Sequence, residues 1–363
     1  MDVVAIVVGL ILVVSVVFDL INTLVATRSA RGRFWLTRIL YEKTWAGVRT
    51  VGHLLGEKQR EAVYASYAPL SVLALLVAWV TQQIVGFGLI WWGLDGIAGG
   101  GSLGDSMYYS GVVYFTLGFG EIVPAGAVPR IGALFEAFSG VLTTALVIGY
   151  LPALYAAYSE REQKVLTLDD GSEERMTPTN LVLSRCPNGD PRAMDSFFEG
   201  WEAWVTQVME THTTFPMLTL FRSQHKGQSW ITALGLVTDA AIHLELMAGC
   251  TGTAPYWMMR RSIRLMQMLT EGVDLSEYRE QLDEVYRDDV LFRDLYDDLA
   301  GHGFPMLDFP EAHAHGRALR RKFDAELEYL IDLLEAPRGF WGHAIGHRIG
   351  SQAPSGSQLD RTE

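Results

Sequence analysis

The sequence predicts an all-α membrane protein: three transmembrane helices, a short re-entrant helix and loop between the second and third, and a bundle of soluble helices after them. Three observations predict it. The apolar runs Val3 to Ala26, Tyr67 to Leu94 and Arg130 to Tyr158 are each long enough, at about 1.5 Å rise per residue, to cross a hydrocarbon core of roughly 30 Å. Charge divides the 363 residues unevenly, with 9 Lys/Arg and 9 Asp/Glu up to Tyr158 and a net charge of -13 beyond it. From about Asp195 onward, apolar residues recur at helical spacing between polar ones.

The first run is too long and uniform for a signal-peptide core, has no basic residue before it and lacks a cleavage site, so it is expected to remain as a spanning helix. Asp19 lies within it, and an intramembrane carboxylate calls either for a function or for a hydrogen bond to a neighbouring helix. The connection Thr27 to Ser66 carries eight Lys/Arg against three Glu, whereas the loop between the second and third runs has none before Arg130. Basic short loops stay inside, so this connection is expected in the cytoplasm, with the N-terminus outside. Its aromatic and apolar residues, among them Trp35 and Trp45, fit a helix at the lipid interface or an ordinary packed linker helix. In the second run, Thr81-Gln82-Gln83 is expected to face protein and not lipid.

Between the second and third runs, Asp105-Ser106 would cap a short helix from Met107 to Phe115. Its C-terminal end favours a cation. Thr116-Leu117-Gly118-Phe119-Gly120-Glu121 follows. Glycine at alternate positions lets successive peptides adopt alternating conformations, which aim backbone carbonyls and the Thr hydroxyl at a bare ion in place of its water. Pro124 and Pro129 then break the chain before the third run.

Spanning helix, short helix, T-x-G-F-G loop and spanning helix, in that order, resemble the tetrameric potassium-channel pore over about Tyr67 to Tyr158. The resemblance implies a selectivity filter at Thr116, Leu117, Gly118, Phe119 and Gly120. It implies aromatic bracing at Tyr108 and Tyr109, and a gating hinge at Gly140, whose other reading is close helix packing. Phe119 and Glu121 stand where the family more often has Tyr and Asp, and Val112 offers Glu121 no polar partner. It also implies a homotetramer in the lipid bilayer that passes potassium ions. No arginine repeats every third residue on a membrane helix, so a voltage sensor is not expected.

The soluble half is expected in the cytoplasm. Its helices show as stripes beginning at Phe197, Leu275 and Leu319. Trp230 to Ala248 is apolar, but Asp239, His243 and Glu245 make it a buried soluble helix and not a span. Cys186 and Cys250 imply neither a disulfide framework nor a zinc site. No Gly-rich nucleotide turn after a strand and no run of short strands appear, so the resemblance stops at the pore. Asp239 and His243 are four apart and share a helix face, which with His212 and His225 is the most site-like constellation for a metal or an unknown cytoplasmic ligand. Glu271 to Ala300 carries 11 acids and 3 bases, without a calcium-loop pattern.

The expected domains are 1–66, an N-terminal helix and basic linker; 67–158, the pore; 159–190, a linker; 191–349, the helical domain; and 350–363, a disordered tail. The reading is a potassium-selective channel of the plasma (inner) membrane, not an enzyme, modulated by its cytoplasmic domain, with no cofactor besides ions in the filter and no nucleic-acid partner. Its rivals are a non-conducting receptor or scaffold with a channel-like membrane part, and a metal hydrolase tethered to a pore.

Overall fold

The computed structural model describes residues 2–25, 35–168, 176–187, 189–223, 229–248, 253–285 and 290–337. The chain forms two compact units, the first of residues 1–157 with 213–218, the second of 158–212 with 219–363.

The first unit opens with α1 (Val3–Leu20), capped by the Asp2 carboxylate, which accepts from the backbone N–H groups of Val4 and Ala5. A π-helical turn, Ile21–Val25, follows. Next come α2 (Trp35–Gly52) and α3 (Glu57–Leu94). Trp45 of α2 packs against Tyr64 and Tyr67 of α3, with ring centroids 5.4 and 4.8 Å apart. Here the connection behaves as a packed helix.

Small residues bring α1 onto α3: a Cβ on Gly9 would meet the Gly86 carbonyl, and one on Gly93 the Asp2 carbonyl. Polar residues inside these helices pair across the same contact. Trp79 donates its indole N–H to Asp19 over 2.9 Å, and Gln82 donates to the Ser15 hydroxyl over 2.8 Å. Trp79 is thus a partner of Asp19 that the sequence could not name.

Two short strands, β1 (Ile97–Ala98) and β2 (Val123–Pro124), pair antiparallel and clamp the ends of the connection between α3 and the third long helix. Between them lies α4 (Leu103–Tyr114). Ser102, and not Asp105, is its cap: the Ser102 hydroxyl accepts from the Asp105 N–H, and the Asp105 carboxylate accepts from the Ser102 N–H, a reciprocal capping box. The helix therefore begins four residues before the expected Met107. The third long helix, α5, runs Ala127–Leu166. Val3–Thr23, Glu57–Leu94 and Ala127–Leu166 are long and apolar enough to cross a membrane. They turn Ile11, Leu73, Val77, Phe135 and Phe138 outward, each more than half exposed, as suits helices solvated by hydrocarbon.

The second unit takes the last turns of α5 and then α6 (Pro178–Arg185), α7 (Asp195–Thr214), α8 (Trp230–Glu245), α9 (Thr253–Leu269), α10 (Ser276–Val285), α11 (Val290–Gly301), α12 (Phe309–Arg320) and α13 (Asp324–Leu334). Its core is built round α8, where every residue from Trp230 to Leu244 is buried, enclosed by α6, α9, α12 and α13. The expected stripe from Leu319 to Leu334 is split between α12 and α13 by a turn, with Phe323 buried at the start of the second helix. Residues 159–190, expected to be a linker, contribute Val165, Leu168, Leu181, Val182 and Cys186 to this core. Within that expected linker the charged stretch 169–175, and beyond it the expected tail, 350–363, lie outside the described residues.

Candidate functional site

The loop after α4 is set by the way that helix ends. The N–H groups of Thr116 and Leu117 bond back to the carbonyls of Val113 and Val112, at 3.0 and 2.9 Å, turning the chain out of the helix. Thr116, Gly118 and Gly120 then have φ of 55°, 64° and 89°, while the intervening Leu117 and Phe119 do not have positive φ. Every second residue is left-handed. Such alternation turns successive carbonyls toward one side of a chain, and it costs little at Gly but roughly 1–2 kcal/mol at Thr116. Non-glycine residues in this conformation concentrate at functional sites. Nothing lies within 4 Å of a Cβ built on Gly118 or Gly120, and residues 115–121 are exposed along their length.

Around the loop, the expected supports take different parts. Tyr108 donates its hydroxyl to Glu121 Oε1 over 2.5 Å. That hydrogen bond holds the Glu121 carboxyl below its ordinary range. The polar partner for Glu121 thus comes from α4 after all, one helical turn before Val112. Tyr109 faces the opposite way, buried edge-on against Trp91 with centroids 5.9 Å apart. A cleft of about 420 Å³ opens between α4, the loop and the start of α5, lined by Tyr109, Val112, Val113, Gly118, Gly120, Pro124, Leu134 and, as its one charged group, Arg130. Gly140 is buried, and a Cβ there would press on the Tyr114 carbonyl, so its lack of a side chain lets α5 lie against the end of α4.

Residues 73–156 match the family model described as an ion channel. The chain carries an ion-channel pore domain of the potassium-channel type. A relative, the uncharacterized membrane protein YdjJ of Bacillus subtilis (strain 168), is 26% identical over 247 residues, covering 65% of this chain and 68% of its own. A match that long exceeds the first unit, so it extends from the pore domain into the second. No solved structure matches the chain.

In the second constellation, His212 and Asp239 take different partners, Arg161 and Arg320, and His225 lies outside the described residues. His212 is fully buried beside Arg161, whose Nη1 is 3.3 Å from Nε2, while Nδ1 lies 2.9 Å from the Val208 carbonyl. Since arginine only donates, Nε2 must accept and Nδ1 must carry the proton, which makes His212 neutral. Burial, and then the Arg161 charge, push it down to about 3. Asp239 is occupied from α12, accepting a forked pair of bonds from Arg320 Nε, at 2.8 Å, and Nη2. His243 does share its face, with Nε2 3.9 Å from Asp239. Even so, burial pushes it down to about 4, the Arg320 charge acting in the same direction and Asp239 against it. Among the described residues no three His, Cys, Asp or Glu are placed to hold a metal ion. Of the residues expected at a metal site, Asp239 thus has its carboxylate engaged by Arg320.

Sequence reasoning passed over Glu136. Its carboxyl is completely buried in α5, within hydrogen-bond reach of Trp91 and Ser110. The signal was available: an acid inside an apolar run is as costly there as at Asp19.

Proposed function

We propose that the protein is a potassium-selective channel, working as a homotetramer in the plasma (inner) membrane, with residues 116–120 as its filter. The observation that carries this reading is the alternation of positive φ at Thr116, Gly118 and Gly120 in an exposed loop directly after a capped short helix. One strand of carbonyls cannot surround an ion, and among the described residues 115–121 are exposed; four copies around an axis would complete the cage. On this reading the N-terminus lies outside and the helical unit in the cytoplasm, as the basic connection 27–66 requires. The last turns of α5 belong to that helical unit, with Val165 fully buried in its core. Any ligand that binds one arrangement of the unit better than another would therefore shift the pore by that difference in binding free energy. Potassium is the transported ion, and no other cofactor is invoked.

Purified protein in liposomes should pass potassium and rubidium much better than sodium, and cross-linking in detergent should stop at four chains. Equal sodium and potassium fluxes would reject the selective filter. No flux of any cation from a correctly assembled tetramer would leave a receptor or scaffold with a channel-like membrane part.

A further inference from the structure

Glu136 is 0% exposed, and among the described residues no Lys, Arg or His forms an ion pair with it. Its carboxyl instead joins three helices. Oε2 accepts the indole N–H of Trp91, on α3, over 2.7 Å. Oε1 meets the hydroxyl of Ser110, on α4. The Ser110 Oγ in turn lies 2.9 Å from the Ile84 carbonyl, back on α3. A hydroxyl has one hydrogen to give. If Ser110 gives it to Ile84, the contact with Oε1 closes only when Glu136 is the donor, as a carboxylic acid. The ring then reads Trp91 to Glu136 to Ser110 to Ile84, with every group satisfied and no charge left in the apolar interior.

One turn further along α5, Gly140 rests against the Tyr114 carbonyl, the last residue of α4. The position of α4 relative to α5 is thus held at two points, a polar one at Ser110 and a steric one at Tyr114. Both lie within six residues of Thr116, where the alternating backbone starts.

We propose that Glu136, held as a neutral acid, is the positioning residue that couples α5 to the 116–120 loop through α4. Resting on the channel reading above, this assigns to one side chain the link by which movement of α5 reaches the filter. Displacing the carboxyl would release Ser110 and let the end of α4 shift, loosening the cage where a Thr hydroxyl and backbone carbonyls must keep their spacing.

The test uses the full-length protein in liposomes with three variants. Glu136→Gln keeps an acceptor for Trp91 and supplies an N–H to Ser110, so potassium-over-sodium selectivity should stay within about twofold of wild type. Glu136→Ala and Ser110→Ala each remove one member of the ring, and should lower that ratio by about tenfold, the effect expected of losing one buried hydrogen-bond partner. Wild-type selectivity in Glu136→Ala would overturn the proposal. So would equal damage from Gln and Ala, which would make charge and not hydrogen bonding the requirement. Infrared difference spectra provide a readout independent of flux: a protonated carboxyl C=O band should vanish in Glu136→Gln. Its absence from the wild type would overturn the neutral ring even if the channel conducts, whereas a wild type that shows the band yet passes no ion would sink the channel reading alone.

Discussion

The Tyr108 hydroxyl donates to Glu121 Oε1 over 2.5 Å, tying the second turn of α4 to the residue that follows Gly120. Phe119 has no hydroxyl with which to make a comparable tie. Tyr108→Phe and Glu121→Ala, each of which removes one partner of this bond, are therefore both expected to shorten the conducting lifetime while leaving the pore assembled. Single-channel recording gives the measurement, and an unchanged open dwell time in both variants would remove this bond from filter stability.

At Gly118 and Gly120 the expectation rests on backbone conformation alone, since a Cβ there meets nothing within 4 Å. The left-handed φ of 64° and 89° should cost an L-residue about 1–2 kcal/mol each. Alanine at either position should abolish potassium flux with little change in melting temperature. Full flux through either variant would mean that the loop tolerates another backbone.

Gly140→Ala places a methyl group against the Tyr114 carbonyl, a backbone atom that cannot swing aside. Stability should fall by roughly 1–3 kcal/mol, the usual range for overpacking. Thermal unfolding in detergent checks this. A hinge without a packing role would instead lower open probability and leave the melting temperature where it was.

The second unit should lose stability on acidification. His243 is held at about 4, below its ordinary 6.5, so between those values the unfolded chain binds a proton that the native protein refuses. Stability then falls as pH drops from about 6.5 to 4, by roughly 3 kcal/mol in all. Asp324 has the opposite slope: burial, followed by the charges of Asp239, Glu328 and Glu326, raises its carboxyl well above the ordinary range, so it costs stability as pH rises. Comparing wild type with His243→Leu in unfolding experiments at pH 6.5 and 4.5 isolates the histidine. The variant should lose less on acidification, and parallel losses in the two proteins would refute the assignment.

Much of the membrane part was legible because its signals are local. Apolar length marks the three long helices. Glycine at 118 and 120 anticipates left-handed φ there without any knowledge of packing, since a residue without a Cβ adopts it at little cost, whereas the left-handed Thr116 was not legible. The cap was expected at Asp105-Ser106 and not at Ser102 because Ser and Asp are both good caps by composition, and only the reciprocal hydrogen bonds between Ser102 and Asp105 select the cap.

What the sequence by itself determined was therefore periodicity, span length, charge division and the conformational freedom of individual residues. Tertiary structure alone decided the partners. Trp79 stands 60 residues from Asp19, Arg320 stands 81 from Asp239, and Ser110 stands 26 from Glu136. No spacing rule reaches that far: a helix face repeats every 3.6 residues and says which side chains share a side, but which other helix meets that side depends on how the whole chain packs. Asp239 and His243 do share a face, as their spacing required. The guanidinium that meets the Asp239 carboxylate comes from Arg320 of α12, which no local spacing could have named.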